Sequence, residues 1–421
     1  MIIGNERQMF VLINVAVNVL LLGRSYVTMQ VLDYRSLGLA ALLQSIVLLV
    51  SMLQFGFLNG GFRLICSADE READRINNLI YTVFGVIGVV ALIGTAAVLG
   101  LVDRQGTLLV GLLGVVGGVF TLVRTWMTNR LVAIGRLRAL NSVNFWSAAA
   151  SLGAIGFVPM NPLVVCLVAI VIQPAAFVIA VAVLERDQLP HRLYWSTSLA
   201  LSVLNAGFVV FLTGIFLQLN LQFERWYVTG TLGLAALGHL YLAFLFITLF
   251  QMVPTSFDQL FLPQIIQSYA TEAGPRQPIR RYLMVIGGYC ALAVAAVLLV
   301  AHPVTAWLLP RYVHDLTYIY VAIPGLVLFT LSGPFALMFN VVIRYRYYFI
   351  AYGAGSVATG SILFGALFVG SPLSLIGVMW LRSGVYALMA VLLTIGYHRL
   401  LRHYPEFDLA LWWRRRRAAA V

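Results

Sequence analysis

The sequence predicts an all-α polytopic membrane protein of about 12 transmembrane helices, arranged as two six-helix bundles related by pseudo-two-fold symmetry. Three observations predict it. Of 421 residues, 61% are hydrophobic and only 10% charged, with a mean hydropathy of +0.94, whereas soluble domains carry roughly 25% charge. The apolar residues fall into about twelve runs, each near the roughly 20 helical residues that a bilayer core of about 30 Å demands. Segments of the first half also reappear, in order, in the second half.

The first run, 9–31, follows Met1–Gln8 directly and is too long, and too rich in Asn and Arg, for a cleaved signal sequence. The next, 37–62, ends in a Gly-rich stretch before Arg63. A charged segment, 63–77, precedes 78–101; "DRQG" at 103–106 separates that run from 107–128, and "PMNP" at 159–162 separates 142–160 from 162–184. After the polar stretch 185–196 come 197–219 and 231–256, and after 264–281 come 282–301 and 317–343. The last two, 348–370 and 373–397, are divided by "GSP" at 370–372. Connections this short leave little outside the membrane with which to do enzymatic chemistry, so the protein is not expected to be an enzyme. Cys66, Cys166 and Cys290 stand apart in or beside these runs, without metal-ligand or disulfide spacing.

The net charge of +12 comes wholly from arginine, because the chain contains no lysine. With an inside N-terminus, 20 of the 27 arginines fall on the cytoplasmic side and four (Arg35, Arg104, Arg225, Arg311) opposite. That asymmetry predicts cytoplasmic N- and C-termini by the positive-inside rule, and it makes nucleic acid an unnecessary explanation for the basic excess. The tail "LWWRRRRAAAV" fits, with Trp412 and Trp413 in the headgroup layer and Arg414–Arg417 on anionic membrane lipids.

"LGLAALLQSIVLLVSM" at 37–52 aligns without a gap on "LGHLYLAFLFITLFQM" at 237–252, an offset of 200 residues. The span at 133–158 parallels that at 341–369: both open with Arg-x-Arg (Arg136 and Arg344, 208 apart) before a polar, Ala/Gly-rich helix. The repeat gives an N-terminal six-helix bundle over 1–190, a C-terminal one over 191–400 and a basic cytoplasmic tail over 401–421. Parallel repeats of this kind are typical of transporters.

Three arginines lie inside the runs. Arg382 sits deep in the last, where a guanidinium costs about 2.5–3.5 kcal/mol on insertion scales and keeps its charge. With few intramembrane acids to pair it, a water-filled cavity facing an anion is the expected setting, a buried salt bridge the alternative. Arg24 and Arg124, in the first and fourth runs, extend the pattern to several depths. Asp258 is the acid most plainly within a helix, a candidate gate or a carrier of a coupling proton or cation. Glu224 and Arg225 fall at the outer end of the seventh run beside Trp226 and Tyr227, as an interfacial girdle or a gate. His239 stands alone in a span and is expected to bond a neighbouring helix. Asn14, Asn18 and Ser25, and Gln44 with Ser51, form polar stripes that bond helices or line cavities.

As an ordered set, several short motifs resemble the polysaccharide-flippase (Wzx-like, O-antigen) branch of the multidrug/oligosaccharidyl-lipid/polysaccharide exporter superfamily. They are Leu37–Gly38; "GFLNGGFRL" at 56–64 with Gly56, Gly61 and Arg63; Glu224–Arg225 before "ALGHLYLAF"; "LPQIIQSYA" with Pro263; Tyr312 in "LLPRYVHD"; and the Arg344/Arg346 helix end. Tyr241 lies one residue beyond the usual Leu-Gly-x-Tyr spacing, and Pro310 replaces a common glycine. The resemblance implies a flippase that moves an undecaprenyl-diphosphate-linked oligosaccharide from the cytoplasmic to the outer leaflet of the bacterial inner membrane by alternating access. The intramembrane arginines suit such an anionic cargo, so the expected substrate contacts are Arg24, Arg63, Arg124 and Arg382, with coupling or gating at Asp258, Glu224 and Arg225, no cofactor beyond H+ or Na+, and polysaccharide polymerase and chain-length proteins as partners. The rival readings are a multidrug/cation antiporter of the same superfamily, which would favour acids in the cavity, and a membrane polymerase or glycosyltransferase.

Overall fold

The computed structural model describes residues 2–66, 68–102, 107–269, 275–342 and 344–407. Trp412, Trp413 and Arg414–Arg417 of the basic tail, Arg104, and the side chain of Pro263 lie outside the described residues. Among the described residues every regular element is helical: α1 (Ile2–Val31), α2 (Tyr34–Ser51), α3 (Phe57–Ile65), α4 (Glu70–Val102), α5 (Thr107–Ala133), α6 (Leu137–Ala154), α7 (Pro162–Leu184) and α8 (Thr197–Thr231), followed by α9 (Leu234–His239), α10 (Tyr241–Tyr269), α11 (Arg276–Ala296), α12 (His302–Leu308), α13 (Leu316–Leu331), α14 (Gly333–Val341), α15 (Arg346–Phe368) and α16 (Leu375–Leu401).

Eleven spans in these helices are long and apolar enough to cross a membrane. The 18-residue α6 supplies a twelfth helix of that length, less apolar because Asn141, Asn144, Ser147 and Ser151 are buried along it. The chain is therefore a multi-pass membrane protein. Side-chain caps mark several starts: Asp33 accepts from the Ser36 amide at 3.0 Å, Asn161 from Val164 at 3.2 Å and Ser374 from Gly377 at 3.2 Å.

Several expected runs are broken rather than straight. Between α2 and α3 the chain passes through Phe55 (φ 46°) and Gly56 (φ 95°), and the Gln54 side-chain oxygen accepts from the amides of Gly56 (3.1 Å) and Leu58 (3.0 Å). The left-handed turn thus has its freed amides satisfied, as irregular backbone in a membrane protein must. Between α11 and α12 a π-helical turn, Val297–Ala301, precedes Pro303, whose missing N–H and bulky ring disfavour a regular turn there.

The helices form two compact units, one of Met1–Ile215 with Val228–Gly238, the other of Phe216–Tyr227 with His239–Val421. α8, an unbroken 35-residue helix, contributes residues to both units. In the first unit, α5 packs against α2, α4 and α7, while α6 packs against α1 and α7. Gly114 and Gly118 of α5 admit the side chains of Ile46 and Val50 of α2 where a Cβ would stand. Trp126 is fully buried and donates to Asn77 Oδ1 at 2.8 Å. In the second unit, Gly325 of α13 lies against the backbone of Ser383 on α16, and its amide donates to the Ser383 hydroxyl at 2.9 Å. The stacked pair Phe329–Tyr386 (5.0 Å) packs one turn beyond that crossing, and farther along α16 Tyr397 stacks on Phe335 of α14 (4.6 Å).

The repeat has a physical counterpart inside the first unit. A Cβ on Gly38 would fall on the carbonyl oxygen of Leu234, and one on Gly238 would fall on that of Tyr34. Positions 34 and 38 map onto 234 and 238 at the 200-residue offset of the alignment, so the crossing of α2 with α9 is its own image under the repeat.

Candidate functional site

The second unit holds two charged arrangements inside its membrane helices. α16 carries Arg382 about two turns beyond its start, and α8 carries Glu224 about two turns before its end. The Arg382 Nε donates to Glu224 Oε2 at 2.6 Å and a terminal nitrogen pairs with the same oxygen; the residues are 2% and 1% exposed. Arg382 lies over the Phe244 ring at 4.8 Å, and Arg225 over the same ring at 4.9 Å. Beside them Tyr386 is buried and takes a 3.5 Å hydrogen bond from Gln251.

The setting of Arg382 here is the buried salt bridge that the sequence held as the alternative to a cavity. The apolar run ended too early in the sequence reading: α8 continues to Thr231, so Glu224 lies within the helix and not in an interfacial girdle, and it supplies the missing acid. The neighbouring Leu373 amide donates to Tyr227 at 2.7 Å, joining the end of α8 to the start of α16 and holding the pair in register. Phe244 and Tyr386 gave no sign of this role in the sequence, because each sits in an apolar helix like any core aromatic.

The second arrangement is a cavity of about 170 Å³ lined by Asp258, Tyr282, Gln251, Tyr348 and Tyr352 together with Thr255, Thr330, Ser332 and apolar side chains. Asp258 accepts a hydrogen bond from the Tyr282 hydroxyl. Nearby, the Tyr289 hydroxyl donates to the Phe250 carbonyl at 2.8 Å, so α11 is tied to α10 beside the cavity. Among the described residues no arginine lines it. Asp258 was legible as an isolated acid; its tyrosine wall was not, since Tyr282, Tyr348 and Tyr352 come from other helices.

The arginines of the first unit sit differently. Arg124 on α5 is half-buried, donates to the neutral Asn144 Oδ1 of α6 at 2.9 Å and lies over Phe177 at 5.3 Å. Arg24 on α1 donates to the Ser151 hydroxyl at 3.0 Å and to the Ala169 carbonyl at 3.5 Å. Arg63 is exposed in the last turn of α3. His239 makes the interhelix bond expected of it, with Nδ1 at 2.9 Å from Asp315 Oδ1. Of the expected site residues, then, the structure brings Glu224, Arg225 and Arg382 together, keeps Asp258 in a separate cavity, bonds Arg24 to Ser151 and the Ala169 carbonyl, and holds Arg124 on the neutral Asn144.

No family model and no curated protein matches the chain. Solved structures do match in fold. An inward-facing multidrug-resistance MATE family transporter of the MOP superfamily superposes with a TM-score of 0.73 at 13% identity, covering 93% of this chain and 96% of its own. The lipid II flippase MurJ, in an inward closed conformation, superposes with a TM-score of 0.73 at 12% identity, covering 92% of this chain and 87% of its own. A point mutant of the Vibrio cholerae MATE transporter VcmN gives 0.64 at 13%, covering 96% and 99%. At these identities the likeness is one of fold, a bundle architecture used by drug transporters and a lipid flippase alike.

Proposed function

We propose that the chain is a lipid-linked oligosaccharide flippase of this transporter fold. It would carry an undecaprenyl-diphosphate-linked glycan from the cytoplasmic to the outer leaflet of the bacterial inner membrane by alternating access. The observation that supports this over drug export is the setting of Arg124. Its described partners are an amide oxygen and an aromatic ring, and no carboxylate among the described residues forms an ion pair with it. A guanidinium inside a membrane helix and without a counter-ion suits an anionic cargo such as a diphosphate, which it can hold through several planar donors. Arg24 and Arg63 are the further cargo contacts of this reading, with polymerase and chain-length proteins as partners downstream.

In the same reading Asp258 binds the coupling ion, H+ or Na+. The size of its cavity supports an ion over a drug in this reading. At about 170 Å³ it is smaller than the roughly 300–1,000 Å³ of sites that enclose drug-sized ligands, but roomy for a proton relay or a small cation among hydroxyls. Arg382, Glu224 and Arg225 act as a structural lock and not as cargo ligands.

Complementation tests the reading. In a strain lacking its own polysaccharide flippase, the wild-type chain is expected to restore surface polymer, and Arg124→Ala at matched membrane abundance to leave lipid-linked repeat units on the inner leaflet. Equal restoration by both would remove Arg124 from the mechanism. Failure of both, with efflux of a cationic dye, would replace the flippase reading by drug export.

A further inference from the structure

The two Arg-x-Arg turns that the repeat aligns have different surroundings. In the first unit, Arg136, the residue at the start of α6, is bonded by Glu185 and reaches Asp187 Oδ2 at 3.0 Å. Two carboxylates on one segment thus close that turn. In the second unit, Arg344 and Arg346 line a cavity of about 260 Å³ with Tyr347, Leu400, His403 and Tyr404. Among the described residues, neither arginine is in an ion pair and no carboxylate lines the cavity.

The walls are built for an anion. Arg346 opens the 23-residue α15, whose first turn carries the positive end of the helix dipole, although the amides of Tyr347 and Phe349 are already bonded to the carbonyls of Arg344 (3.5 Å) and Tyr345 (3.0 Å). Its guanidinium lies over the Tyr347 ring at 5.0 Å, with a terminal nitrogen 3.5 Å from the Tyr347 hydroxyl. The opposite wall follows the end of α16, where the Leu400 carbonyl, whose exposed negative end would repel an anion, already accepts from the amides of His403 and Tyr404 at 3.0 Å each. That segment is braced by Arg276, which donates to the carbonyls of Glu406 (2.9 Å) and Pro405 (3.0 Å). Two guanidiniums sharing a cavity repel each other, and an anion between them relieves the repulsion. Planar forks match phosphate oxygens best. At about 260 Å³ the cavity falls below the roughly 300 Å³ at which enclosed small-molecule sites begin, so it admits a phosphate or diphosphate group rather than a whole nucleotide or glycan.

We propose that the Arg344–Arg346–His403 cavity is a binding site for a phosphate-bearing group at the membrane surface. The inference stands on this cavity and does not depend on the cargo proposed above. The group can come from a lipid headgroup or from solution; the chemistry is the same.

The full chain is reconstituted in phosphatidylcholine nanodiscs and titrated with inorganic pyrophosphate by calorimetry. In parallel, native mass spectrometry counts phosphatidic acid retained in preference to phosphatidylcholine. The Arg344→Gln/Arg346→Gln variant is expected to lose about tenfold or more in affinity for at least one probe, since charge-assisted bonds are lost from both forks. Arg136→Gln/Arg138→Gln is expected to change neither. Arginine-dependent loss of pyrophosphate binding identifies a site open to free phosphates, and loss of phosphatidic acid alone identifies a lipid-headgroup site; either supports the proposal. It is overturned if neither probe weakens, or if the Arg136/Arg138 variant loses as much. Should the glutamine pair fail to give monodisperse protein, Arg344→Lys/Arg346→Lys decides alone: it keeps the charge but not the fork, and affinity equal to wild type overturns the proposal.

Discussion

Glu224→Gln should destabilise the protein more than Arg382→Gln, although each removes one partner of the same buried pair. Breaking such a pair leaves an uncompensated charge and costs about 3–5 kcal/mol. The difference comes from Arg225. Both guanidiniums lie over the Phe244 ring, at 4.8 and 4.9 Å from its centre, so they are within about 10 Å of each other. At an effective dielectric of about 20 they repel by at least roughly 1.7 kcal/mol. Glu224 holds this repulsion in check and also attracts Arg225, which lies close enough to act on its charge. Substituting Glu224 therefore removes two attractions and keeps the repulsion. Substituting Arg382 removes one attraction, ends the repulsion, and leaves Glu224 with Arg225. The two variants should differ by at least about 2 kcal/mol, with Glu224→Gln toward the upper end of that range.

The assay is equilibrium unfolding of nanodisc-embedded protein, completed as a double-mutant cycle with Glu224→Gln/Arg382→Gln, which should lose less than the sum of the single variants. Arg382→Gln proving as destabilising as Glu224→Gln would refute the argument, because Arg225 would then play no electrostatic part. Additivity in the double variant would show that the pair contributes nothing as a pair.

Three further outcomes are expected. Asp258→Asn should abolish dependence of transport on the proton or sodium gradient in proteoliposomes while leaving melting behaviour close to wild type; Tyr282→Phe, which removes only the hydrogen bond to the carboxylate, should shift the pH midpoint of transport and preserve its maximum. Gly38→Val or Gly238→Val should prevent assembly of stable protein, since the new Cβ meets a backbone carbonyl that cannot move aside; Gly85→Ala, where a Cβ meets nothing within 4 Å, serves as the tolerated control, read by yield and size-exclusion profile. Arg124→Lys should keep part of the complementing activity that Arg124→Ala loses, because the charge stays and the planar fork does not.

The helical architecture was legible because hydrophobic length is a strong signal in a chain with 10% charge: every expected run contains a helix. What the runs concealed were interruptions whose cause is local, such as the left-handed Gly56 turn capped by Gln54 and the π turn ahead of Pro303. The glycines of the repeat were visible only as a matched letter pair, and their meaning, two backbones at carbonyl contact, requires the crossing itself. The charged residues were identified correctly as unusual but could not be matched to one another. Glu224 and Arg382 are 158 positions apart, and nothing in either helix encodes which face meets which. Asp258 was found as a lone acid for the same reason that its tyrosines were missed.

Pairing separates two kinds of intramembrane arginine that a sequence presents alike. For Arg382 to bind a cargo phosphate it would have to leave Glu224, and breaking the buried pair costs about 3 kcal/mol, the lower end of the range, even with Arg225 still beside the carboxylate. One charge-assisted hydrogen bond returns only about 1.5–3 kcal/mol. The exchange is not downhill, which favours a scaffold role for Arg382. Arg124 gives up a bond to the neutral Asn144 amide, worth about 0.5–1.5 kcal/mol, and the amide can bond water or cargo in its place. Exchange there is downhill for any phosphate that reaches it, by an amount small enough to allow release. In the proposed flippase the arginine whose partner is weakest is therefore the one suited to contact the cargo, and depth in the membrane is a poorer guide to function than the charge of the neighbour.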